Sequence, residues 1–152
     1  MAYDNKKPTV IESKKTKALR IFLAALYFIE VILTTFPFTW IIDDNGEYRQ
    51  YTAFEFMVRP SGYHSAEEIK IALLFSIFVI FPLVCFFFLV LSKGVVKNYV
   101  SYACSVICAV LITFGIGGTI AMGAVISLLL YVFILFFTTQ NLLMVLADNR
   151  AE

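Results

Sequence analysis

The chain reads as an all-α integral membrane protein with four transmembrane helices, at about residues 19–42, 69–91, 96–117 and 119–146. A short β-hairpin and helix are expected in the loop between the first two. Three observations lead there. Hydrophobic residues make up 61% of the 152 and charged ones only 15%, with a mean hydropathy of +0.85, too apolar for a soluble domain of this size. Four apolar runs each reach the roughly 20 residues needed to cross a hydrocarbon core of about 30 Å. The basic residues divide unevenly between the two sides those runs define.

The first 17 residues are polar, with Lys6, Lys7, Lys14, Lys15 and Lys17 against Asp4 and Glu12, and with Pro8 in their midst. A flexible basic tail (1–17) is expected ahead of a transmembrane bundle (18–147). Residues 148–152 form a second short tail. The run at 19–42 carries one acid, Glu30, near its middle. The run at 69–91 carries Pro82, a site for a helix kink. The last two runs are fused: residues 99–146 contain no charged side chain, about twice a membrane thickness, and the turn signal dividing them is Gly115-Ile116-Gly117-Gly118. Lys6, Lys7, Lys14, Lys15, Lys17, Arg20, Lys93, Lys97 and Arg150 fall on one side, and Arg49, Arg59 and Lys70 on the other. Nine against three places both termini in the cytoplasm.

The loop at 43–68 is then extracytoplasmic. Ile41 and Ile42, the turn Asp43-Asp44-Asn45-Gly46, and the stretch from Glu47 to Thr52 read as a hairpin, since Asn-Gly supplies the positive φ of a tight turn. Thr52-Ala53-Phe54-Glu55 has the spacing of a capping box, as does Ser65-Ala66-Glu67-Glu68 before the second span.

Within the bundle, Tyr27, Glu30 and Thr34 share one face of the first helix. No lysine or arginine lies in the middle of any span, so Glu30 is expected to stay protonated and to bond a hydroxyl on Tyr27, on Thr34 or on the third helix. An intramembrane acid is also a functional candidate by default, here for a proton or cation. On the third helix, Ser101, Ser105, Ala109 and Thr113 step by four, a small-residue stripe that lets another helix come close. That helix is expected to be the packing centre.

The segment Glu30-Val31-Ile32-Leu33-Thr34-Thr35 resembles the surroundings of the first-helix glutamate of the small multidrug resistance transporters, which are also four-helix chains. That likeness would imply proton-coupled export of hydrophobic cations by an antiparallel dimer. The chain departs from that family in its long first loop, its cytoplasmic tail and a third helix without the Tyr, Trp and Gly pattern of the family's site. Membership is not assigned. The layout is similar to claudin-like tetraspans too, but their tryptophan and paired-cysteine loop signature is absent.

Cys104 and Cys108 stand at i and i+4, a spacing open to a soft metal, but with no histidine or acid beside them they read as buried small residues. His64, Glu67, Glu68, Asp43 and Asp44 read as a solvated acidic loop. With no HExxH, phosphate loop or nucleophile elbow in the sequence, no catalytic site, metal or cofactor is expected. The reading is of an accessory or interaction subunit of a membrane assembly, with the bilayer and a protein partner or second copy as its contacts and no nucleic acid. The alternative is a small proton- or cation-coupled transporter using Glu30. The expected location is the plasma (cytoplasmic) membrane, multi-pass, and the absence of Asn-x-Ser/Thr sequons points to a bacterial inner membrane.

Overall fold

The computed structural model describes residues 12–42, 46–58, 66–92, 94–116 and 119–148, with the backbone alone for 66–68. It is mostly helical and carries one two-stranded sheet. The elements are α1 (Lys14–Leu33), β1 (Pro37–Ile42), β2 (Tyr48–Thr52), α2 (Ala53–Val58), α3 (Ala66–Leu91), α4 (Val96–Val110) and α5 (Met122–Asp148). A π-helical turn, Leu111–Gly115, continues α4. Among the described residues, three helices are long and apolar enough to cross a membrane: Ile69–Leu91, Val96–Gly115 and Met122–Asp148. Lys17, Arg20 and Glu30 set α1 apart from them.

The long helices close a ring. α1 packs against α3 and α5, and α4 packs against the same two from the opposite side. α4 is therefore not the single centre expected of it; α1 and α4 face each other across the interior. There Leu23, Tyr27, Phe78, Cys85, Leu89, Cys108, Ile112, Tyr131 and Ile134 form a core at most 2% exposed.

α1 begins and ends elsewhere than the hydropathy suggests. Lys14 to Lys17, expected in the tail, are helical, because Ser13 caps the helix by accepting from Thr16 N at 3.2 Å. Residues 1–11 lie outside the described residues. At the other end α1 stops at Leu33 rather than running on toward Ile42. Thr34 and Thr35 turn their hydroxyls back onto the carbonyls of Val31 and Ile32, at 2.6 and 2.7 Å. Such back-bonding offers the backbone an alternative to the helix ladder, and Pro37 then precludes an N–H bond back to the ladder. The apolar residues that follow are used as strand β1.

β1 pairs antiparallel with β2 in the register Trp40↔Gln50, Ile41↔Arg49 and Ile42↔Tyr48, with an irregularity between Pro37 and Thr39. The first strand is thus longer than the two isoleucines expected to form it. Of the turn, Gly46 has φ +80° as its place requires, while Asp43 to Asn45 lie outside the described residues. The capping box at the start of α2 forms in full: Glu55 N donates to Thr52 Oγ1 at 3.0 Å, and Thr52 N donates to Glu55 Oε2 at 2.8 Å. The second capping box, His64 and the Arg59 region lie outside the residues whose side chains are described.

The other edge of β1 meets the chain leading into α5. Trp40 N donates to Thr119 O at 2.8 Å and Ala121 N to Phe38 O at 3.1 Å. Gly123 lets α5 start directly against this strand: a Cβ there would lie 2.5 Å from Pro37 O. Beneath the sheet, Phe38, Phe56, Phe75 and Phe78 pack ring to ring, with Phe56 and Phe75 stacked at 4.5 Å and Phe38 tilted against Phe78 at 5.2 Å. One end of the helix ring is closed by aromatic rings.

The buried carboxyl and the polar file

Because α1 stops early, Glu30 sits in its last turn, not at its middle. The final Leu33 lies three positions on, about 5 Å of helix. Its side chain is 1% exposed and points into the ring. Tyr27 and Thr34 are buried beside it, at 1% and 2%, but neither serves it. The Tyr27 hydroxyl reaches across to α4, donating to Ser101 O at 2.9 Å and meeting Ser105 Oγ at 2.7 Å, and Thr34 bonds its own helix. A hydroxyl beside the carboxyl comes from α5 instead: Ser127. Ser127 stands as a hydrogen-bonding neighbour of the carboxyl, at a geometry too loose for a well-formed bond. Glu30 Oε1 and Ser127 Oγ are both buried without a partner among the described residues. Tyr131 and Cys108 complete the surroundings.

Sequence reasoning missed Ser127 because it took the third helix as the source of a hydroxyl. A signal was available in the spacing. Ser127, Tyr131, Thr138 and Asn141 recur at helical intervals along α5, and all are at most 2% exposed.

The stripe on α4 is used over half its length. Ser101 and Ser105 are fully buried, Ala109 is partly buried, and Thr113 is exposed, its hydroxyl bonded to Ala109 O at 2.8 Å. A strict step of four drifts off a 3.6-residue period. The inward face therefore passes to Cys108 and Ile112, both 0% exposed. The three cysteines are neighbours but do not converge on one ligand position. Cys104 meets Cys85 on α3 while Cys108 meets Tyr131 on α5, all three are free thiols, and no group of three metal-ligating side chains occurs among the described residues.

At the end opposite the aromatic cluster the ring is closed by charge. Glu12, just ahead of α1, pairs with Arg20 at 3.2 Å and with Lys97 of α4, whose side chain is 0% exposed. Arg20 also donates to Leu89 O at 2.9 Å, satisfying a terminal carbonyl of α3. Asp148 at the end of α5 accepts from Thr16 Oγ1 at 2.7 Å and from Ser13 N at 3.2 Å. Next to Lys97, the buried Asn98 accepts from Asn141 Nδ2 at 2.9 Å. A file of buried polar side chains thus runs from this charged end, along the inner faces of α4 and α5, to Glu30.

The chain matches no known family model, no curated protein and no solved structure.

Proposed function

We propose that this is a four-span protein of the cytoplasmic membrane in which Glu30 exchanges a proton or cation, making it a small ion-coupled transporter. The observation that carries the reading is a buried carboxyl, loosely neighboured by Ser127, whose Oε1 has no hydrogen-bonding partner among the described residues. A carboxyl kept only for packing would be expected to end in a satisfied bond, since an unmet polar group in a bilayer costs several kcal/mol. One kept for exchange must remain free to change partners. Two features support α1 as the fourth span. It fills one side of the ring between α3 and α5, and its outward residues Ile21, Phe22, Phe28, Ile29 and Ile32 are all at least 44% exposed, a surface suited to lipid. The charged end, with Lys14, Lys15, Lys17, Arg20 and Lys97, belongs on the cytoplasmic side by the positive-inside rule. The hairpin then faces outward.

Purified protein in lipid vesicles with an imposed membrane potential and an internal pH or sodium indicator tests this. Wild-type vesicles are expected to pass protons or sodium faster than vesicles carrying Glu30→Gln, which keeps the shape but not the ionisation. Equal rates for both ions in both preparations contradict the reading.

The hairpin face favours the accessory-subunit reading as a second possibility. Phe36, Trp40, Ile42, Tyr48 and Phe54 are 38% to 73% exposed on or beside the sheet, the aromatic composition typical of protein contacts. A partner that co-purifies in mild detergent with the wild type and is lost with Trp40→Ala and Tyr48→Ala would support it. Retention of the partner by both variants would not.

A further inference from the structure

Toward the charged end the interior mixes apolar residues such as Leu23, Leu89 and Ile134 with a line of buried polar side chains, toward the hairpin end it is mostly apolar, and Glu30 lies between the two. Toward the charged end, Ser127, Ser101, Thr138, Asn98 and Asn141 are all at most 1% exposed. Each presents a buried polar atom with no partner among the described residues: Ser127 Oγ, Ser101 Oγ, Thr138 Oγ1, Asn98 Nδ2 and Asn141 Oδ1, in addition to Glu30 Oε1. The Tyr27 hydroxyl, bridging α1 to Ser101 and Ser105, joins the α4 serines to the helix that carries Glu30. Along α4, Lys97 to Cys108 spans about 16 Å of helix at 1.5 Å per residue, so the file covers about half of a hydrocarbon core of roughly 30 Å. Unmet polar atoms in folded proteins are rare, and those grouped in one place are commonly bridged by internal water. Toward the other end the buried hydroxyls of Thr34 and Thr39 are bonded to backbone carbonyls, and no unpartnered buried polar side chain occurs there among the described residues. Ile112 and Ile116 and the rings of Phe38, Phe75 and Phe78, all at most 5% exposed, fill the interior.

We infer that Glu30 has one-sided access: a hydrated file along α4 and α5 connects it to the end closed by Glu12, Arg20 and Lys97, while the aromatic cluster bars the hairpin end. The species that moves along the file is a proton handed between hydroxyls, amides and water, for among the described residues the file holds no buried anion between Glu30 and Glu12 to stabilise a bare metal cation. The Glu12 to Lys97 pair at its mouth makes that end the place where the file is opened or closed. This rests on reading Glu30 as an exchanging group.

The test follows the Glu30 carboxyl in vesicles by infrared spectroscopy, at a pH acid enough for it to carry its proton, after rapid transfer into deuterated buffer. The shift of its carbonyl band reports exchange directly, and the band is identified by its loss in Glu30→Gln. Ser101→Ala with Thr138→Val removes two of the unpartnered hydroxyls and is expected to slow exchange at least tenfold, with Thr138→Ser restoring the rate when it replaces Thr138→Val. Phe38→Leu, at the barred end, is expected to leave exchange within about twofold. Should the double variant fail to fold, Thr138→Val against Thr138→Ser gives the same comparison. Exchange at the wild-type rate in the folded blocked variant overturns the file, as does a Glu30 proton that never exchanges in the wild type. Neither result depends on whether Glu30→Gln alters ion flux, so failure of the route and failure of the transport reading are separately visible.

Discussion

The two ends of the helix ring are closed by opposite means. At the charged end, Glu12 holds two cations that are almost fully buried, and Asp148 ties the start of α1 to the end of α5. At the hairpin end, stacked rings and a strand edge do the same work without charge. The difference teaches how a short chain can be asymmetric inside while the outward faces of its helices are largely apolar. Hydrogen-bonded ion pairs can admit water and rearrange, whereas rings packed to 4.5 Å cannot.

The comparison breaks most sharply at Glu12. Replacing it with Ala leaves Lys97 fully buried without a carboxylate, a loss of about 3 to 5 kcal/mol for a broken buried pair. Thermal unfolding in detergent should show it, and adding Lys97→Met should recover much of the loss because the orphaned charge is then gone. A double variant as unstable as Glu12→Ala would mean the cation is not what suffers. Phe38→Ala at the opposite end should cost about as much, roughly 3 to 5 kcal/mol, by leaving a cavity under the sheet. Here no charge substitution rescues it, and the loss should be insensitive to salt.

A smaller effect is expected at Gly123. A methyl group there must push away Pro37 O, and overpacking of this kind costs about 1 to 3 kcal/mol. Unchanged stability of Gly123→Ala would show that β1 is not seated on α5. Thr52→Ala removes one arm of the capping box and should cost about 1 kcal/mol. Were it to exceed Gly123→Ala in the same melting series, α2 would be more central to the hairpin end than its exposed position suggests.

Local signals in the sequence carried the elements well where a short motif decides them. The pattern from Thr52 to Glu55 is a complete capping box in the fold, and Gly46 takes the positive φ that its turn demands. The apolar runs located α3, α4 and α5 to within a few residues. The end of α1 was illegible because hydropathy cannot separate an apolar strand from an apolar helix. What ends the helix is the hydroxyl chemistry of Thr34 and Thr35. That misplacement carried Glu30 to the middle of a span when it belongs to a final turn. Its neighbour Ser127, like the grouping of Glu12 with Arg20 and Lys97, depends on which helices are adjacent, and adjacency follows from tertiary packing. The phase of α4 failed at Thr113 because a step of four outruns the helical period.

The central claim is that Glu30 is a working carboxyl and not a packed one. A pH series followed by infrared spectroscopy, wild type against Glu30→Gln in the same vesicles, tests it most directly. The account predicts a protonated-carboxyl band that is present in the wild type, missing from the variant, and that falls as bulk pH is raised while the bundle stays folded. A band of constant height across the whole range in which the protein remains folded would contradict it.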